Sequence, residues 1–233
     1  MEIKVRRTHE AVAERSGNTF IGRSGVYPIT IDFVSLEQSD NGAVTFNINC
    51  TYSGNKQTIY GSTLFNTDGG ENAIGMDLFN KLLVIGGLED GVSLDTELEE
   101  HAVGKDNVVK EFNVIPQLSG IECQIQVKEV FSRYNKEITR NLRIYNFFSE
   151  DGATADELVA YETDKSVKKG TQLAKILAKP ATTERSYVDN KQTNETAPTA
   201  EEVEAYLAAK SGKQAPAPKA VAKPRGNMFT KNK

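Results

Sequence analysis

The chain has 233 residues, a formal net charge of −4 and 38% apolar residues. That apolar fraction is low for a chain packed throughout, no apolar run is long enough for a membrane helix, and weak acidity denies it the broad positive field of a duplex-DNA binder. Two cysteines, Cys50 and Cys123, and two histidines, His9 and His101, leave no basis for a disulfide framework, a Cys-rich zinc site or a His-based catalytic centre.

Charge is unevenly spread. From Lys210 to Lys233 there are seven Lys or Arg and no acid, whereas Asp68 to Phe112 holds eleven acids against Lys81, Lys105 and Lys110. MEIKVRRTHE has no apolar core, so a secretory leader is not expected, and the reduced cysteines fit a cytoplasmic setting.

Residues 1–25 read as a charged N-terminal arm. VYPITIDFVSL then reads as a strand with Ile29, Ile31 and Phe33 on one face. Asn41-Gly42 is a hairpin signal. AVTFNINCTY alternates, with Val44, Phe46, Ile48, Cys50 and Tyr52 on one face and Thr45, Asn47, Asn49 and Thr51 on the other. That polar face is either solvated or a hydrogen-bonding surface. KQTIYGSTLF is a third strand, with a bulge or bend expected at Gly61.

In ENAIGMDLFNKLLVIGGL the period changes to that of a helix. Ile74, Leu78, Leu82 and Ile85 form one stripe, flanked by Phe79 and Leu83, and Gly86-Gly87 ends it. An acidic connection of weak pattern leads to a short strand, Val108 to Ile115, which Pro116 terminates. IECQIQVKEVF alternates again, SRYNK is a turn, and EITRNLRIYNFF alternates with Ile138, Leu142, Ile144 and Phe148 inward and Thr139, Asn141, Arg143, Tyr145 and Phe147 outward. Thr154 and Glu157 fit a capping box for a helix over Ala153 to Tyr161. Lys165 to Lys179 has mixed helical character, Pro180 to Pro198 reads as linker, and Thr199 to Ala209 as a short isolated helix. KQAPAPKAVAKP reads as an extended tract.

The order strand, strand, strand, helix, strand, strand is that of the OB-fold, a five-stranded Greek-key barrel, although other α+β arrangements share it. The expectation is a mainly β protein with α elements: an OB-fold-like barrel with a helix between strands 3 and 4 and a flexible C-terminal tail. The expected division is an arm over 1–25, a core domain over 26–162, a helical and linker appendage over 163–211, and a basic disordered tail over 212–233.

GGENAIGMDLFNKLLVIGGL together with YNKEITRNLRIYNFFSEDGATADEL resembles bacteriophage proteins of the single-stranded-DNA-binding and replication-associated type. In those, a GGEN-led helix is followed by a YNGK-like hairpin, a positively charged last strand and a DG turn. The resemblance runs from about Val26 to Leu158. It implies an OB-fold protein that coats single-stranded DNA during phage replication or recombination. Many such proteins end in an acidic tail that recruits replication partners, whereas this chain ends basic.

Binding unpaired DNA takes flat rings for bases and cations for phosphates, each stacked base contributing roughly 1–3 kcal/mol. The last strand offers Arg143 and Tyr145 on one side, its turn Arg133, Tyr134 and Lys136, the third strand Lys56 and Tyr60 with Thr58 between them, and the fourth Lys128. Tyr60 and Arg143 lead this set. The ordinary role of a strand tyrosine is cross-strand packing, and that of an edge lysine is to block edge pairing. Met228 and Phe229, apolar among charges in RGNMFTKNK, suit a peptide tethered for docking on replication or transcription proteins. Glu97 and His101, four apart, resemble a helical metal pair, but a solvated charged segment explains them better. Cys50 and Cys123 read as small core residues.

These features predict a non-catalytic single-stranded-DNA-binding protein with little sequence preference, no cofactor, no metal and no membrane association. The alternative is a phage structural or protein-interaction β-barrel module without nucleic-acid binding. No catalytic constellation supports an enzyme.

Overall fold

Two-residue alternation builds strands at both ends of the core, and a computed structural model shows how they join. It describes residues 20–103, 108–179, 185–190 and 193–210. Among these residues the protein is mainly β, an open sheet of eight strands with four α-helices. The strands are β1 (Gly25–Gln38), β2 (Val44–Tyr52), β3 (Asn55–Phe65), β4 (Glu97–Val103), β5 (Val108–Val114), β6 (Glu122–Tyr134), β7 (Glu137–Ser149) and β8 (Ser186–Tyr187). The helices are α1 (Ala73–Ile85), α2 (Ala155–Thr163), α3 (Thr171–Leu177) and α4 (Ala200–Lys210). The expected arm and tail fall largely on residues 1–19 and 211–233, outside the described residues, as do Met228 and Phe229.

β1 organises the sheet. Along one edge it pairs with β2 from Thr30 to Gln38. It also pairs with β6 through its first half, Gly25 to Thr30, and with β5 at Ser35 and Leu36. β2 continues to β3 and β6 to β7, all antiparallel. Among the described residues β8 alone is parallel, against Val130 and Phe131 of β6. Phe46, Ile48, Cys50, Ile125, Val127, Phe147 and Leu82 of α1 meet in one core. Both cysteines are free and lie in that core, and burial pushes each thiol up to about 12.

Several expectations need correcting, each for a local reason. The β1–β2 register shifts between Ile31 and Phe33, so Asp32 is an extra residue. The bulge sends Val34 into the core and leaves Phe33 outside the core cluster, not in line with Ile29 and Ile31. A second irregularity in the β6–β7 register skips Tyr145, and Phe147 is buried along with Phe148 rather than outward. The acidic connection contains the strand β4, paired along its length with β5. The stretch read as linker contributes β8, and the helix read as isolated has Val203 fully buried.

The expected bend at Gly61 is real: the β2–β3 register shifts between the Thr45–Thr63 and Asn47–Tyr60 pairs, so Gly61 and Ser62 together stand against Phe46. A Cβ on Gly61 would stand 2.3 Å from the Phe46 carbonyl oxygen. α1 starts on Asn72, whose side chain accepts from Gly75 N–H at 3.1 Å, and ends at Gly86-Gly87. Its buried face is Gly75, Leu78, Phe79 and Leu82, whereas Ile74 is 81% exposed. The stripe is rotated because α1 sits so close to β3 that a Cβ on Gly75 would be 1.8 Å from the Thr63 carbonyl oxygen. Only glycine permits that seat. Gly75→Ala is expected to cost at least about 1–3 kcal/mol, a fall in Tm of several degrees in a calorimetric scan. An unchanged Tm would mean that α1 does not rest there.

The capping box of α2 forms as its sequence predicts. The Glu157 carboxylate also accepts from Gly170 N–H (3.0 Å), Thr171 Oγ1–H (2.6 Å) and Gln172 N–H (3.1 Å), so one buried group ties α2 to α3. Burial raises its pKa, but the hydrogen bonds from Thr171, Thr154, Gln172 and Gly170 outweigh it and hold it below the ordinary 4.5. A lowered native pKa means that the unfolded chain takes up the proton first as pH falls, so this stabilisation is full above about pH 4.5 and fades below it. Wild type should therefore lose Tm more steeply than Glu157→Gln between about pH 5 and pH 3. Parallel acid profiles would contradict the assignment.

Candidate nucleic-acid interface

β3 and β7 are the two strands that the sheet leaves facing each other. Among the described residues neither is laddered to the other, and a groove of about 530 Å³ runs between them. One wall is Gln57, Thr58, Ile59, Tyr60 and Gly61; the other is Arg140, Asn141, Leu142 and Arg143, with Ile21 and Gly22 at one end. Tyr60 and Arg143, on separate hairpins in the sequence, thus line the same groove. Tyr60 is 68% exposed, the largest exposure of any tyrosine described. Alternation along β3 explains this: Ile59 turns into the core while Lys56, Thr58 and Tyr60 turn out.

The outward strip continues beyond Arg143. Arg143 lies directly opposite Lys128 in the β6–β7 register. The Lys128 ammonium sits 3.9 Å from the centroid of the Tyr145 ring, and Tyr145 is half exposed. The skipped register at Tyr145 leaves its ring outward beside this lysine. A ring and two cations thus stand next to the groove on one face.

The hairpin residues are elsewhere. From Arg143 to Lys136 is seven residues, roughly 20 Å of strand. Asn135 and Lys136 both have positive φ (51° and 68°), which makes the tight turn. Tyr134 is exposed, but Lys136 N–H donates to Glu195 Oε1 at 2.5 Å. Arg133 is engaged with α4, its guanidinium 2.6 Å from Glu202, and its carbonyl accepts from Asn190 Nδ2. Arg133 therefore anchors the C-terminal segment instead of facing the groove. Glu202 titrates below its ordinary value because Thr199 N–H and then Arg133 hold its charged form.

The Thr/Asn face of β2 is a hydrogen-bonding surface, and it bonds to the neighbouring strands β1 and β3. Asn49 donates to Ser35 Oγ (3.2 Å) and accepts from Thr58 Oγ1–H (2.6 Å). Asn47 donates to Glu37 (3.0 Å), and Thr51 to Asp32 (3.0 Å). These amides are buried and committed, so their role is to stiffen the three strands beneath the groove wall.

Two groove residues are not marked by strand alternation. Arg140 and Gln57 sit at positions whose alternation points inward, yet both reach the seam where the sheet ends. Arg140 Nε donates to the buried Glu129 (2.6 Å) and its guanidinium also donates to the Gly22 carbonyl. Gln57 Oε1 accepts from Ile21 N–H at 3.1 Å. Only knowledge that β3 and β7 are sheet ends would have marked them.

His101 lies on β4, a strand, with its Nε2 2.7 Å from Glu99, so the helical metal pair does not arise. Among the described residues no group of three His, Cys, Asp or Glu is arranged to hold a metal, and no helix is long and apolar enough to cross a membrane. Compared with known proteins, the chain matches no family model and no curated relative.

Removing the Arg133 side chain should loosen α4 alone. In Arg133→Ala, amide exchange across residues 200–210 is expected to quicken while exchange along β3 and β7 stays as in wild type. Unaltered exchange in α4 would show that the Arg133–Glu202 pair is not what holds it.

Proposed function

We propose that the protein binds single-stranded DNA without catalysing a reaction, within a phage replication or recombination system. The observation that carries this reading is the shared groove: an exposed tyrosine on one wall, an arginine on the other, and a lysine–tyrosine pair continuing the strip. Bases stack on Tyr60 and Tyr145, and phosphates meet Arg143, Lys128 and Lys56. Because every base has a π face, preference among sequences is weak. The local character of the cations fits a chain whose net charge is −4.

The strand path supports an OB-like barrel as the scaffold. β1, β2 and β3 form a meander, α1 follows β3, β6 returns to β1, and β7 comes to the open side of β3. The β4–β5 hairpin is then an insertion between α1 and the last two barrel strands. In such barrels the surface around the second and third strands commonly takes oligonucleotides. The phage setting rests on the resemblance of the α1 and β6–β7 segments.

A second reading has one observation in its favour. Leu98, Val108 and Val109 are exposed on the β4–β5 hairpin, and β4 ends the sheet with an open edge among the described residues. Such an edge suits a protein-interaction module.

Fluorescence anisotropy with labelled oligo-dT and a duplex control separates the two. The proposed function predicts preference for the single strand and affinity that falls with salt. Tyr60→Ala and Arg143→Ala should each weaken binding by about 1–3 kcal/mol, roughly fivefold to 150-fold, with circular dichroism unchanged. Equal and negligible binding of both DNAs would favour the interaction module. Strong binding unmoved in both folded variants would relocate the site.

A further inference from the structure

Phe33 projects from the outward face of β1, yet it is only 4% exposed. Its cover comes from the β4–β5 hairpin. The His101 ring lies on Phe33 with centroids 3.8 Å apart and planes within 13° of parallel, and Phe112 closes the side at 5.2 Å. A flat heteroaromatic ring laid parallel on a phenyl ring is how a nucleobase sits on an aromatic platform.

The surroundings extend the likeness. A cavity of about 100 Å³ beside the stack is lined by Asp32, Asn49, Lys56 and Thr58 of the sheet and by His101 and Val103 of the hairpin. Gln57 and Thr58 line both this cavity and the β3–β7 groove, so the two adjoin. The hairpin carries Glu97, Glu99, Glu100 and Glu111, and Glu99 bonds the stacked imidazole at 2.7 Å. A planar ring with anionic groups at its side offers the face what a nucleotide would offer.

The hold on this cover is slight. Among the described residues β5 pairs with β1 at Ser35–Val114 and Leu36–Asn113, Ile115 N–H donates to the Val34 carbonyl at the root (3.0 Å), and the other strand pairs of the hairpin are between β4 and β5 themselves. A two-stranded hairpin is marginal on its own. The ring stack is what lays its far part on the sheet.

We propose that Phe33 is a second base-stacking subsite and that the acidic hairpin is its displaceable internal occupant, His101 sitting where an unpaired base of a single strand sits. The inference rests on the proposed function and extends its groove across β2 to β1. Lys56, at the rim of the cavity, meets the phosphate of the entering nucleotide. Apparent affinity is then reduced by the fraction of molecules whose hairpin is down.

The test uses the full chain, oligo-dT anisotropy, and photocrosslinking to an oligonucleotide carrying iododeoxyuridine. His101→Ala should bind oligo-dT about three- to tenfold more tightly than wild type. The Phe33-containing peptide should crosslink in both proteins, more strongly in the variant. The double variant His101→Ala, Phe33→Leu should lose the gain; if it fails to fold, the crosslinks in the two proteins that keep Phe33 decide. Wild-type binding with His101→Ala no tighter and no crosslink at Phe33 would overturn the subsite and leave the groove standing. Binding by His101→Ala alone would uphold the subsite and overturn the reading that the resting protein binds. Binding by neither would overturn both.

Discussion

A sheet that brings its third and seventh strands face to face without lacing them together imposes the condition on which the rest depends. Had β3 and β7 joined by a full ladder, their edges would be consumed and the outward side chains would flank a flat wall. Left apart, they frame a groove of about 530 Å³ whose lips carry Tyr60 and Arg143. Two devices keep the seam from drifting. Arg140 reaches from β7 to Glu129 and to the Gly22 carbonyl, and Gln57 on β3 receives Ile21 N–H. The short segment before β1 is thereby bonded to both sides of the gap.

The walls are stiffened differently. On the β3 side, the Asn47, Asn49, Thr51 and Thr58 side chains satisfy one another and their neighbours on β1, and each such bond contributes about 0.5–1.5 kcal/mol while fixing register. On the other side, Glu129 is buried and paired with Arg140 and, at 3.6 Å, with Arg185, whose guanidinium also reaches Glu204 of α4. A buried carboxylate with two arginines is costly to break because removing one partner strands the other's charge. Through it the C-terminal helix and the groove wall share one electrostatic anchor.

Much of this was readable from alternation alone. The strand faces of β2 and β3, the turn at Asn135-Lys136, the capping box at Thr154 and the bend at Gly61 all follow from local chemistry, and Tyr60 and Arg143 could be picked because both fall on outward positions. What stayed hidden depends on single-residue irregularities and on long-range contact. One extra residue at Asp32 inverts the expected side of Phe33, and the skipped pairing at Tyr145 brings Phe147 inward. The seat of Gly75 against Thr63 rotates α1 away from the stripe that would bury Ile74. Arg133 looked like a phosphate ligand because its acidic partner, Glu202, lies 69 residues away. The β4 strand, rich in glutamate, gave no apolar alternation from which to read it.

The central claim, that the seam between β3 and β7 is where an unpaired strand lies, is tested most directly by an amide chemical-shift titration of the isotope-labelled full chain with oligo-dT. The account predicts that the perturbed amides cluster at residues 57–61 and 140–145. Shifts confined to the β6–β7 turn and α4, or no shifts at saturating oligonucleotide, would contradict it.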